Sequence, residues 1–320
     1  MITDTISRPE ASAPAEPAEH LQATTAAVRV SFTWFGVRKT LTPDQKARAA
    51  DTFGAEGDYL SAAKKLLDTR HPAFKGVTAV RTRVLSLWRG TTLPYPESGV
   101  RLIRQDRIAE FTDQMDVLRE QLDEAVEALD RKYDQLCSAA CHRLGSLYNP
   151  ADYPSTLRGL FGFEIDFPST EPPDYLMRLN PQLYEQQRQR MVARFEQAVQ
   201  LAEDAFVGEF NKVVGHLVER LSGSDDGKPR IFRDSAVGNL HEFFERFRSL
   251  NVHSNEQLDR LVETAQNAMR GIRPDQLRDR NGLRRNIATQ LSAVGSQLEG
   301  MMVDRPRRRI LRGRTPGSGT

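Results

Sequence analysis

Cys137 and Cys141 stand four residues apart, with His142 beside the second, in a segment that reads as helix. That spacing puts both thiols on one face. Two thiolates and an imidazole could begin a zinc site, but such a site takes about four ligands, and no Cys-x-x-Cys knuckle supplies the rest. Two small side chains filling a helix interface account for the pair more simply. His241-Glu242-Phe243-Phe244-Glu245 starts as a zincin helix does, yet Glu245 occupies the place of the second histidine. The Gly-rich stretch from Gly223 to Lys228 ends in Gly-Lys, but Pro229 stands where a P-loop needs Ser or Thr for magnesium. There is no Glu-x-x-His pair and no Gly-x-Ser-x-Gly. The sequence therefore predicts no catalytic residue, no bound metal, no cofactor and no small-molecule substrate.

Charge gives a stronger signal. The formal net charge is +2, yet the residues from Arg270 to Thr320 hold twelve Arg and no Lys against Asp275, Asp279, Glu299 and Asp304. Arg270, Arg273, Arg278, Arg280, Arg284 and Arg285 fall within sixteen residues, and Arg305, Arg307, Arg308, Arg309, Arg312 and Arg314 follow near the end. Guanidinium groups bind phosphates bidentately, so these arginines are candidate nucleic-acid contacts. No aromatic residues interleave with them to stack bases, and no groove-reading motif is visible. Two alternatives are structural. The arginines could pair with an acidic helix, or Arg307 to Leu311 could add an edge strand beside Val28 to Trp34. The ten acidic residues from Asp106 to Asp134 form that helix's solvated face, since no spacing singles out an acid/base pair.

The elements that must position these groups are mostly helical. Val28, Val30, Phe32 and Trp34 alternate with polar residues and predict a strand. Thr42 with Gln45, followed by Pro43 at the first helical position, predicts a capped helix to about Thr52. Helices are expected over Leu60 to Asp68 and Ala73 to Trp88, then a hairpin or ordered loop from Gly90 to Ile103. From Gln105 to Leu144 there is no Pro or Gly, and apolar residues recur every three or four positions. A forty-residue helix there would be roughly 60 Å long. Its near-heptad pattern stutters at Ala125, Leu129 and Tyr133. A second long helix runs from Pro181, capped by Asn180, to Leu221, with a stripe from Met191 through Phe195, Phe206, Phe210 and Val213. Two such helices pair most simply as an antiparallel hairpin. Between them, Ser155 to Phe161 reads as a short helix and Phe163, Ile165 and Phe167 as a strand. Tyr153, Phe161, Phe163 and Phe167 are the candidate protein-binding residues of this cap, against the simpler alternative of a satellite core. Helices resume over Asp234 to Leu250, from a Ser254/Gln257 capping box to Met269, and over Asn281 to Met301, where Gly295 is the weak point.

The expected fold is thus all-α. A long coiled-coil-like antiparallel helical hairpin covers 105–221 with a cap at 145–180. It is flanked by helical regions at 28–104, which holds the minor β-hairpin, and at 222–303. Residues 1–27, rich in Ala, Pro, Glu and Thr, read as a disordered leader and not a signal peptide, and 304–320 as a basic flexible tail. No apolar run of about 18 residues is present, and two cysteines build no disulfide framework. A cytoplasmic protein is expected.

Trp34-Phe35-Gly36 with Arg38-Lys39, Gly90 through Leu93-Pro94-Tyr95 to Gly99 with Leu102-Ile103, and Tyr133 carry a family pattern. Asp152-Tyr153-Pro154, Phe161 with Phe163 and Phe167, Phe232-Arg233, Asn239-Leu240 and Leu250-Asn251 complete it. In this order, over Val28 to Met269, they resemble an uncharacterised helical domain-of-unknown-function family carried by bacteriophages and plasmids. Some members lie near MoxR-like AAA ATPases and von Willebrand A proteins. The resemblance implies a mobile-element origin and an accessory role in an assembly, and it assigns no catalytic residue. The expected function is a non-enzymatic interaction or scaffold protein in a bacterial host cytoplasm, with a protein partner or self-association. Nucleic-acid binding through the arginines is the alternative.

Overall fold

A computed structural model of the protein describes residues 16–222 and 235–303. They are mostly helical, with a small antiparallel sheet. The chain divides into two compact units, one of residues 22–191 and one of residues 1–21 with 192–320.

The first unit is built on strand β1. Helix α1 (Pro17–Thr24) leads into β1 (Thr25–Trp34), then come β2 (Arg38–Thr40), α2 (Pro43–Asp51), β3 (Ala63–Lys65) and α3 (Pro72–Thr91). Next are β4 (Thr92–Pro94), β5 (Val100–Arg104), α4 (Ile108–Asp130), α5 (Tyr133–Leu144), β6 (Phe161–Asp166), α6 (Tyr175–Leu179) and the start of α7 (Pro181–Ser222). The sheet order is β4-β5-β1-β6, antiparallel throughout. Thr25 to Arg29 pair with β5, and Arg29 to Trp34 pair with β6. Of the expected disordered leader at 1–27, residues 16–27 are structured and 1–15 lie outside the described residues. Residues 16–27 are ordered because Thr25, Ala26 and Ala27 are hydrogen-bonded to β5, and Leu21 is buried.

Alternation places Val28 and Val30 on the face covered by helices, beside Phe161 and Phe163 of β6. Against them pack Phe74, Val77, Val80 and Val84 of α3 and Phe111, Met115, Leu122 and Leu129 of α4. Each such side chain contributes about 1.5–3 kcal/mol by leaving water. The stripe that the sequence expects to face a second long helix is, in this unit, covered by α3 and the sheet. At the sheet's open end Arg81 lies over Phe32 and Trp34, and Arg119 over Phe163, at 4.9–5.3 Å from the ring centres.

Four further expectations are corrected. The forty-residue helix breaks at Arg131 and Lys132, where the pattern stutters. The Asp130 carboxylate there accepts hydrogen bonds from Leu157 N (2.7 Å) and Thr156 Oγ1 (3.0 Å), tying down the following loop. The helix expected over Ser155 to Phe161 is a turn for that reason, with Gly159 at φ 74°. The helix expected over Leu60 to Asp68 is strand β3, because pairing with β2 overrides its helical propensity. The cap at 145–180 is likewise no separate element, since its β6 is a sheet strand. The capping box of Thr42 and Gln45 is present, and Asn180 caps α7 through Leu183 N.

The second unit holds residues 17–21 of α1 and 192–222 of α7 with α8 (Ser235–Leu250), α9 (Glu256–Met269), α10 (Pro274–Asp279) and α11 (Asn281–Val303). Its centre is aromatic. Phe210 stacks on Phe243 at 4.7 Å, and Phe206 meets Phe247 edge-on at 5.1 Å. Val214, not Val213, completes the buried stripe of α7. Gly295 of α11 lies against it, since a Cβ there would sit 3.7 Å from Val214 Cγ1. The α9 cap is Asn255, one residue later than expected, accepting from Leu258 N. No described helix is long and apolar enough to cross a membrane.

Phe161 contacts Trp34, Phe35 and Phe74 in the first core. Phe161→Ala should cost about 3–5 kcal/mol, seen as an early urea transition of the full chain; an unchanged midpoint would contradict this core.

Candidate functional site

The ribbon of β2 and β3 carries an unusual charge pattern. Arg38 lies opposite Lys65, and Lys39 opposite Lys64. Like charges facing across strands destabilise a pair. One of the two is neutralised from outside. Lys39 and Lys64 both pair with the Asp152 carboxylate, Lys64 Nζ at 2.6 Å, and Lys64 also donates to Leu147 O at 2.6 Å. Asp152 is 1% exposed and Lys64 6%, whereas Lys39 is 56% exposed. A buried ammonium so occupied ties the ribbon to the loop after α5. Tyr153 adds a second tie, its hydroxyl donating to Leu66 O at 3.0 Å while its ring stacks on Tyr148.

The other like-charge pair, Arg38 and Lys65, is exposed and makes no ion pair among the described residues. Lys65 joins Arg70 and Arg143 around a crevice of about 370 Å³, floored by Leu66, Leu67, Leu136 and Ala140. Arg143 pairs with Asp68 at 2.8 Å and holds that carboxyl below the usual carboxylate range. Beside the crevice floor, burial raises the Tyr133 phenol far above its ordinary range, with the Cys137 thiol next to it, and pushes Tyr153 up to about 12. Burial also raises Cys137. Cys141 and His142 are exposed, and no three His, Cys, Asp or Glu side chains gather around one point among the described residues.

What the ribbon supports is an exposed tip. Between β2 and β3 the chain forms α2 and a short turn at Gly57–Tyr59. Phe53 is 81% exposed and Tyr59 88%. Asp51, Glu56 and Asp58 flank them, exposed and without an ion pair among the described residues, and residues 49–60 contain no cation. The tip turns tightly. Gly54 adopts φ 63°, and a Cβ on Gly57 would come within 3.1 Å of the Ala47 backbone.

In the second unit the basic residues are concentrated between 270 and 285. α9 and α11 flank a groove of about 730 Å³ with Leu261, Ala293 and Val294 on its floor and the ion-paired Glu256 and Arg260 (2.9 Å) on its wall. The chain joining these helices carries the sequence-predicted arginines. Arg270, Arg273, Arg278, Arg280 and Arg285 are exposed, and Arg284 is half-buried. Arg270 donates to Asn267 Oδ1, while Arg273, Arg280 and Arg285 form no ion pair among the described residues. Arg284 and Arg285 sit in the first turn of α11, where the peptide dipoles already favour anions. Arg305, Arg307, Arg308 and Arg309 lie outside the described residues, as does the edge strand proposed for that segment.

The predicted protein-binding residues fare differently. Phe161 and Phe163 are core residues because they lie on the helix-covered face of edge strand β6, against α3 and α4, and Tyr153 is half-buried as a tie. Of the four, Phe167 alone is exposed, near Tyr175, Met177 and Leu179 in sequence, which are exposed too. Sequence reading missed Phe53 and Tyr59. Their signal was two aromatics in a Gly- and acid-rich stretch with no apolar partners at helical or strand spacing. The chain matches no protein-family model, and no curated protein or solved structure is similar to it.

Lys39 and Lys64 hold the Asp152 carboxyl below its ordinary range. A depressed native pKa stabilises the fold above the unfolded value, about 3.9, and that contribution is lost as pH falls through the native value. Stability should therefore drop on acidification below about pH 4, and Asp152→Asn should flatten that limb of a pH-denaturation profile. Lys64→Met, which leaves a buried carboxylate with one half-exposed ammonium, should cost about 3 kcal/mol in urea.

Proposed function

We propose that this protein is a non-enzymatic interaction or scaffold protein of a phage or mobile-element assembly, working in the cytoplasm of a bacterial host. The observation that carries this reading is the α2 tip, with two almost fully exposed aromatics on a ribbon held by a buried ion pair. Aromatic side chains bring large contact area at low entropic cost and dominate protein interfaces. A rigid support lowers the ordering cost of docking them. The resemblance to a phage- and plasmid-borne family supports the setting. A photo-crosslinking residue in place of the exposed Thr52, used in host cells, should capture a protein that the same residue at Ser86 on α3 does not. Phe53→Ala with Tyr59→Ala should abolish capture and shift stability by less than about 0.5 kcal/mol each. Equal capture from both positions would sink the proposal.

A second reading rests on the unpaired arginines at the start of α11. They suit a phosphate backbone. Anisotropy with labelled DNA should then show affinity falling steeply with salt, and Arg273→Gln, Arg280→Gln and Arg285→Gln together should lower the log–log salt slope by about 2–3. An unchanged slope would remove these residues from any nucleic-acid contact.

A further inference from the structure

The crevice beside strand β3 holds more positive charge than the fold itself uses. Lys65, Arg70 and Arg143 line it against a single carboxylate, Asp68, so two positive charges are left over. Asp68 is fully engaged. Its Oδ1 accepts from the Arg70 backbone N–H at 3.0 Å, and its Oδ2 accepts from Arg143 Nη1 at 2.8 Å. That pairing positions the Arg143 guanidinium while occupying one of its five N–H donors. The exposed Lys65 and Arg70 side chains make no hydrogen bond or ion pair among the described residues. Lys65 also has a like charge, Arg38, opposite it on β2. For the neighbouring pair, Lys39 and Lys64, Asp152 supplies the balancing carboxylate. Among the described residues no carboxylate does the same for Lys65. Beneath these charges the floor is apolar and buried, with Leu66 and Leu67 following β3 and Leu136 and Ala140 on one face of α5. At about 370 Å³ the crevice falls in the range of sites that enclose small ligands, about 300–1,000 Å³.

We propose that this crevice binds a small organic phosphate, a monoester whose dianionic head meets Lys65, Arg70 and Arg143 and whose compact apolar body covers the leucine floor. A dianion balances the two excess charges, whereas a carboxylate balances one. Guanidinium and ammonium groups bind phosphate oxygens through charge-assisted hydrogen bonds, which are the stronger kind. The floor adds the burial of apolar area that a bare ion cannot supply. The site lies wholly within the first unit, and it stands whether or not the α2 tip docks a protein.

Isothermal titration calorimetry of the full chain with phenyl phosphate, inorganic phosphate and benzoate tests it, at about pH 8, where the monoester is a dianion. Phenyl phosphate should bind saturably at one site per chain. It should bind more tightly than inorganic phosphate, which lacks the ring, and than benzoate, which lacks the second charge. Lys65→Gln with Arg70→Gln should weaken it at least about tenfold, since each removes a charge-assisted bond. Arg83→Gln, exposed on α3 outside the crevice, should leave the affinity unchanged. Removing Lys65 relieves its repulsion with Arg38, so the double variant should unfold in urea no earlier than wild type. Saturating phenyl phosphate should raise the wild-type midpoint and leave that of the variant in place. Absence of saturable binding at millimolar phenyl phosphate, or equal affinity in the double variant, overturns the inference. So does inorganic phosphate or benzoate binding as tightly as the monoester.

Discussion

A strand in the middle of a sheet must have its backbone amides and carbonyls paired along both edges, since leaving them buried and unpaired is costly. Strand β1 meets part of that demand with two segments far downstream, β5 along one edge of its first half and β6 along the other edge of its second. The chain must return to β1 twice. The first return carries α3 past the sheet, and the second carries α4 and α5. Both helices can then bury their apolar stripes only against the face that presents Val28, Val30, Phe161 and Phe163. The core of the first unit follows from that pairing.

The same topology brings the loop after α5 to the β2–β3 ribbon. A three-residue ribbon with four basic residues facing one another across it is poorly stable by itself. Asp152 removes half of that repulsion from a position 1% exposed, and Tyr153 adds a hydrogen bond to the next strand residue outward. Desolvating an ion pair returns little net stability. Its effect here is geometric, because it holds a small excursion whose own contents, α2 and the tight turn at Gly57, have almost no core. The exposed aromatics thus sit on a platform fixed from beneath.

Charge is segregated in the second unit in a different way. Two aspartates, Asp275 and Asp279, accompany six arginines between residues 270 and 285, and the first turn of α11 adds the field of its peptide dipoles. Glu256 and Arg260 pair on α9, but Arg273, Arg280 and Arg285 are left to solvent.

The sequence alone was enough for many of the features set by neighbours in the chain. The alternation of Val28 to Trp34, the capping box of Thr42 and Gln45, the Asn180 cap, the helices over α3, α8 and α11, and the crowding of Arg270 to Arg285 were all legible. So was the weak point at Ala125, Leu129 and Tyr133, although its outcome, a break and not a supercoil adjustment, was not. Tertiary structure decided what depends on distant partners. Ala63 to Lys65 became a strand because Arg38 to Thr40 needed a pairing partner, and residues 25–27 were ordered by β5. Phe161 and Phe163 went inside because β1 recruited their strand, whereas Phe53 and Tyr59 stayed outside because their segment packs on nothing but α2. An aromatic residue looks the same in sequence in either place. Which side of a core it occupies is settled by what the rest of the chain brings against it, and local pattern carries no information about that.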